Sequence, residues 1–138
     1  MLKQQEAIGR SLGPIIEMRD GATWLFKVVD VRATTGEYEG WLIDGISPGE
    51  EAFSINAHMI LRDKVNQYFQ GEQMWFQVAR SGLVGRAMNY TVHMIQGSDQ
   101  EILNDSDAQQ LLRDTSAEIA NLIREIPSAD STGNIFSN

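Results

Sequence analysis

EAFSINAHMILRDKVNQYFQGEQMWFQVAR, from Glu51 to Arg80, changes its hydrophobic period twice. Glu51 to Ile55 brings Phe53 and Ile55 to one face, the two-residue repeat of a strand. Past Asn56, a candidate N-cap, Met59, Ile60, Val65, Tyr68 and Phe69 follow at roughly helical spacing until Gly71 ends the segment. Alternation then returns, with Met74, Phe76 and Val78 opposite Trp75, Gln77 and Ala79. The stretch reads strand, helix, strand.

Upstream, Ile15-Ile16 begins a first strand that resumes after the Asp20-Gly21 turn as WLFKVVDVR, Trp24 to Arg32. Strict alternation puts Trp24, Phe26, Val28 and Asp30 on one face and Leu25, Lys27, Val29 and Val31 on the other. Both faces are largely apolar, as in a strand covered on two sides. YEGWLID, Tyr38 to Asp44, is a second strand with Gly40 at a possible bulge, and Ser47-Pro48-Gly49-Glu50 is a turn. Downstream, Ser81 to Ala87 is a glycine-containing loop and MNYTVHMI, Met88 to Ile95, a fifth strand. Three strands, a helix and two strands predict a mainly β domain: a five-stranded barrel of the oligonucleotide-binding (OB) kind, with the helix as plug.

A further unit follows Gly97-Ser98. Ser106 and Gln109 have capping-box spacing, and Ala108, Leu112, Thr115, Ile119, Leu122 and Ile126 form an apolar stripe before Pro127. The stripe allows either docking on the barrel or pairing with a second copy. The predicted boundaries are an arm over 1–13, the barrel over 14–97, an acidic helix over 98–127 and a flexible tail over 128–138.

The net charge of −8 argues at first against a nucleic-acid partner. Its distribution alters that argument. Met1 to Ile95 holds nine Lys/Arg against eleven Asp/Glu, whereas Gln96 to Asn138 holds two against eight. The body is nearly neutral and the appendage acidic. A 42% hydrophobic and 22% charged composition suits a folded globular chain. No apolar run reaches membrane-spanning length, and Met1 to Arg10 lacks the apolar core of a secretory signal, so a cytoplasmic protein is expected. With no cysteine there is no disulfide, thiolate nucleophile or cysteine-ligated zinc.

The element order, with WLFKVVDVR, YEGWLID, the Gly71-Glu72 step into GEQMWFQVAR, the Arg86 loop and a last strand holding Tyr90 and Val92, resembles the OB-fold single-stranded DNA-binding proteins of bacteria and their viruses. The resemblance covers roughly Ile15 to Ile95. It implies single-strand binding across the second and third strands, clamped by the flanking loops. The acidic end is similar to the tail with which such proteins recruit replication or recombination partners. Here the chain departs from that pattern: only Asp130 is acidic after Ile126, and the chain ends Ile135-Phe136-Ser137-Asn138.

Single-strand binding combines aromatic faces for stacking with cations that follow the phosphates. Tyr38, Trp41 and Phe53 are the stacking candidates, with Tyr90 in support; Lys27, Arg32, Arg80 and Arg86 are the candidate phosphate track. Each has a plainer reading: aromatics fill small barrels, and exposed cations pair locally. Arg62 and Lys64, on the plug helix, are expected to face water. Catalysis finds no support. His58 and His93 form no motif, the acids from Asp99 to Asp107 lack the offsets of a calcium loop, and there is no phosphate-binding glycine loop. The expectation is a non-enzymatic binder without cofactor or metal. The alternative is a protein–protein assembly module, such as a viral structural or adaptor subunit, associating through the C-terminal helix.

Overall fold

The computed structural model describes residues 13–34, 40–83 and 86–126, with the backbone alone at 83, 86 and 87. Six strands form one mixed sheet: β1 (Ile15–Ile16), β2 (Thr23–Thr34), β3 (Gly40–Ile46), β4 (Ala52–Ala57), β5 (Met74–Leu83) and β6 (Arg86–Ile95). Their spatial order is β1-β4-β3-β2-β5-β6. Helix α1 (Met59–Asn66) joins β4 to β5. After β6 come α2 (Asp99–Leu103), a 3-10 turn (Ser106–Ala108) and α3 (Gln109–Arg124).

The expected closed, five-stranded barrel is corrected to an open sheet of six strands. Ile15-Ile16 does not run on into β2. It is a separate strand, parallel to β4, with Ile15 opposite Ser54 and Ile16 opposite Ile55. That pairing takes the edge of β4, and β6 pairs with β5. The predicted helix between the fourth and fifth strands of this count is present, but it starts at Met59. Asn56 belongs to β4, opposite Leu42 of β3.

Strand β2 departs from strict alternation at one point, a bulge between Val28 and Asp30 in the β2–β3 ladder. The extra residue reverses which side chains face inward beyond it. Val28 and Val31, three positions apart, therefore both pack in the main core. Arg32 moves to the face that carries Lys27.

The inner face holds that core. Trp24, Phe26 and Phe53 meet edge to face, with centroids 5.3–6.4 Å apart. Gly45 makes room for them, since a Cβ there would lie 2.9 Å from the Phe53 ring and 3.0 Å from Phe26. Leu61 and Val65 of α1 complete this layer.

The C-terminal unit docks on its own sheet. Ile102 and Leu112 pack with Leu25 and Trp75 in a second cluster, while Ile119 reaches the main core. Strand β3 has ended by the first half of β2, since Ile46 lies opposite Lys27. There α3 takes its place: the buried Thr115 Oγ1 accepts the Leu25 N–H at 3.0 Å. The capping box lies at Ser98 and Glu101, at the start of α2, rather than at Ser106 and Gln109. No helix among the described residues is long and apolar enough to cross a membrane.

Candidate functional site

Helix α1 packs against β3, β4 and β6. Its exposed side lies between Trp41, where β3 begins, and Asn89-Tyr90, in the first half of β6. Trp41 is half-buried, and the Arg62 guanidinium sits over its ring, 4.9 Å from the centroid. Arg62 also pairs with Asp63 at 2.8 Å. Two residues on, and on the opposite flank of the helix, Lys64 Nζ donates to Asn89 Oδ1 at 3.0 Å and to the Tyr90 carbonyl at 2.5 Å. His58 stacks on Tyr90 with centroids 6.5 Å apart. Met59, Ile60 and Tyr68 are exposed beside this group. Trp41 and Arg62 thus mark one flank of α1, and Lys64 with Asn89, Tyr90 and His58 the other.

The predicted site residues do not form one groove. Phe53 is wholly buried among Trp24 and Phe26 and offers no face for stacking. Tyr90 is buried beneath His58, and its removal from water pushes the phenol above the usual tyrosine range; Arg80 opposes that shift and Glu17 adds to it. Arg80 is buried on the inner face, donating to the Met18 carbonyl. Both sit there because β5 and β6 alternate regularly from Trp75 to Ser81, with Arg80 directly opposite Tyr90. Tyr38 and the Arg86 side chain lie outside the described residues. Trp41 alone of the predicted aromatics is described at the surface.

Lys27 and Arg32 share the outer face, where each meets an acid. Lys27 Nζ lies 2.9 Å from Asp99 Oδ2, and Arg32 Nε lies 2.7 Å from Asp44 Oδ2. Asp44 is buried and also accepts from Ser54 Oγ. Asp99 accepts from Trp75 Nε1 at 2.8 Å as well. Hydrogen bonds from Lys27 and Trp75 hold the Asp99 carboxyl below the usual carboxylate range. A cleft beside Lys27 is walled by Ser47, Pro48, Glu50, Trp75 and Asp99. Two acids there oppose a phosphate.

Sequence reasoning passes over Arg62 and Lys64, which spacing places on a solvated helix. Their partners, Trp41 and Asn89-Tyr90, come from other elements, so no local pattern announces them. Among the described residues no group of three or more His, Cys, Asp or Glu is placed to hold a metal. In comparisons with known proteins, no family model, no curated protein and no solved structure matches this chain.

Proposed function

We propose that this chain binds single-stranded nucleic acid, DNA in the first instance, on the surface where Trp41 and Arg62 meet. The observation that carries the reading is the Arg62 guanidinium over the half-buried Trp41 ring. A π-face beside cations is the unit single-strand binders use, because every base offers a stacking face and every linkage a charge. The succession of β2 to β6, with α1 between β4 and β5, follows the order of an OB fold, and we read the sheet as an OB-like one left open. The interface is smaller than eight residues on one track. Lys27 and Arg32 lie on the outer face of the sheet, away from the Trp41 ring, and Arg80, Phe53 and Tyr90 support the fold.

The test uses the protein's own fluorescence. Trp24 and Trp75 are 0% and 4% exposed, so an oligonucleotide that changes tryptophan emission reports chiefly on Trp41. Binding of an unstructured oligonucleotide should quench that emission, and Trp41→Leu should remove the response. The same substitution should weaken binding about 5- to 150-fold, the equivalent of about 1–3 kcal/mol of stacking. If Arg62 meets one phosphate, the logarithmic salt slope should be about −0.7. Absence of binding at low salt, with emission unchanged, refutes the reading.

The assembly-module reading has one observation of its own, the long edge of β6, which has no partner strand on its outer side among the described residues. Association through the apolar stripe of α3 is not favoured, because Leu112, Thr115 and Ile119 are buried against this chain's own sheet.

A further inference from the structure

Among the described residues, strand β6 closes one side of the sheet and has a neighbour on one flank only. Along it, alternate residues turn their N–H and C=O toward β5 or away from it. Tyr90 turns them away, and both are closed locally: Asn89 Oδ1 accepts the N–H at 2.8 Å, and Lys64 Nζ donates to the carbonyl. Val92 and Met94 follow at the same phase. Their outward N–H and C=O groups have no partner among the described residues. Proteins usually blunt such an edge with a lysine, a proline or a bulge. Here the Lys64–Asn89 closure protects one residue, and among the described residues nothing covers Thr91 to Ile95. From Met88 to Ile95 the sequence, MNYTVHMI, has no Lys, Arg, Asp, Glu or Pro.

We propose that the Thr91–Ile95 edge of β6 pairs antiparallel with the same edge of a second copy of this chain, about a two-fold axis at His93. Three observations select a second copy. First, the segment carries no charged residue, so a second copy can pair here without apposing like charges despite the net charge of −8. Second, the closure at Tyr90 fixes where pairing must stop. Setting Val92 opposite Met94 of the second copy uses all four outward residues and forms about four main-chain hydrogen bonds. Third, Val92 and Met94 are half-buried on the inner face, and this register puts each beside the other's counterpart, an apolar cross-strand pair. The pairing is isologous and closes at two copies. It does not depend on the nucleic-acid reading.

In this register His93 faces His93 of the second copy as a non-hydrogen-bonded pair, with Cα atoms about 4.5 Å apart. Thr91 faces Ile95, and the two Thr91 residues lie about 13 Å apart. The Thr91 and His93 side chains are both exposed, so substitution of either leaves the fold intact. The full chain has no cysteine, so one introduced thiol can pair only with its own copy. Under mild oxidation His93→Cys should form a disulfide-linked dimer readily, while Thr91→Cys should not, because its sulfurs cannot meet. Sedimentation of the unmodified chain should show a concentration-dependent dimer. His93→Glu, which apposes two carboxylates at the axis, should raise its dissociation constant by more than about tenfold. A chain that stays monomeric over the whole concentration range overturns the proposal, as does equal cross-linking of the two cysteine variants. Stable capture of an oligonucleotide or foreign peptide by β6 without self-association overturns it too.

Discussion

Thr115→Val asks whether α3 belongs to the sheet or merely rests on it. The two side chains have nearly the same shape, so the substitution removes an acceptor and little else. In the native chain Thr115 is wholly buried and its Oγ1 lies 3.0 Å from the Leu25 nitrogen. Leu25 is itself 3% exposed, so water cannot take over as acceptor without opening the packing. A buried N–H left without a partner costs about 1–3 kcal/mol. The methyl that replaces the hydroxyl returns part of that, which leaves a net loss of about 1–2 kcal/mol. For a domain of this size each kcal/mol lowers the melting temperature by about 4 °C, so a fall of about 4–8 °C is expected. Urea unfolding should show a lower midpoint at unchanged slope, because the native surface is the same. Amide exchange at Leu25 should accelerate by more than that of its β2 neighbours. Stability within about 0.5 kcal/mol of the parent, with the Leu25 amide still protected, would refute the argument. It would mean that the N–H finds another acceptor and that apolar contact alone holds α3.

Two further predictions rest on the inner and outer faces. Gly45→Ala should destabilise by about 1–3 kcal/mol, since the added methyl meets the Phe53 and Phe26 rings inside van der Waals distance; chemical denaturation measures it. Asp99 has a depressed folded-state pKa, so its contribution to stability is fully present above the unfolded value. It should be lost as pH falls through the lower folded value. The Asp99 carboxyl should titrate below the exposed acids by NMR, and Asp99→Asn should flatten that part of the pH–stability curve.

Much of the fold is legible because its elements announce themselves locally. The alternation of Met74 to Ala79 and the helical spacing after Asn56 depend only on neighbours in the chain. What escapes the sequence depends on distant partners. Ile15-Ile16 is too short to show a period, and only its pairing with Ser54 and Ile55 makes it a strand. A closed barrel follows from element order alone, and order does not determine which edges meet. The site is less legible for the same reason. Phe53 and Trp41 look equivalent as aromatics on consecutive strands, yet one is sealed by Trp24 and Phe26 and the other lies at the end of its strand. The cations look free in the sequence because their acids are remote: Asp99 is 72 positions from Lys27. Even the capping box at Ser98 is easily passed over, since a helix as short as α2 has too few apolar residues to draw the eye.

The bulge between Val28 and Asp30 makes one change of length in β2 far milder than any other. A strand with uninterrupted alternation has one parity throughout. This strand has two, joined at Val29. Straightening it with all its residues kept would send Val31 out to water and Arg32 into the apolar interior, or slide every pair of the β2–β3 ladder beyond that point. Deleting Val29 does neither, because Asp30, Val31 and Arg32 then follow Val28 in regular alternation and keep Asp44, Ile43 and Leu42 as partners. During divergence the segment should therefore tolerate the loss of one residue at the bulge and resist the gain or loss of a residue beyond it.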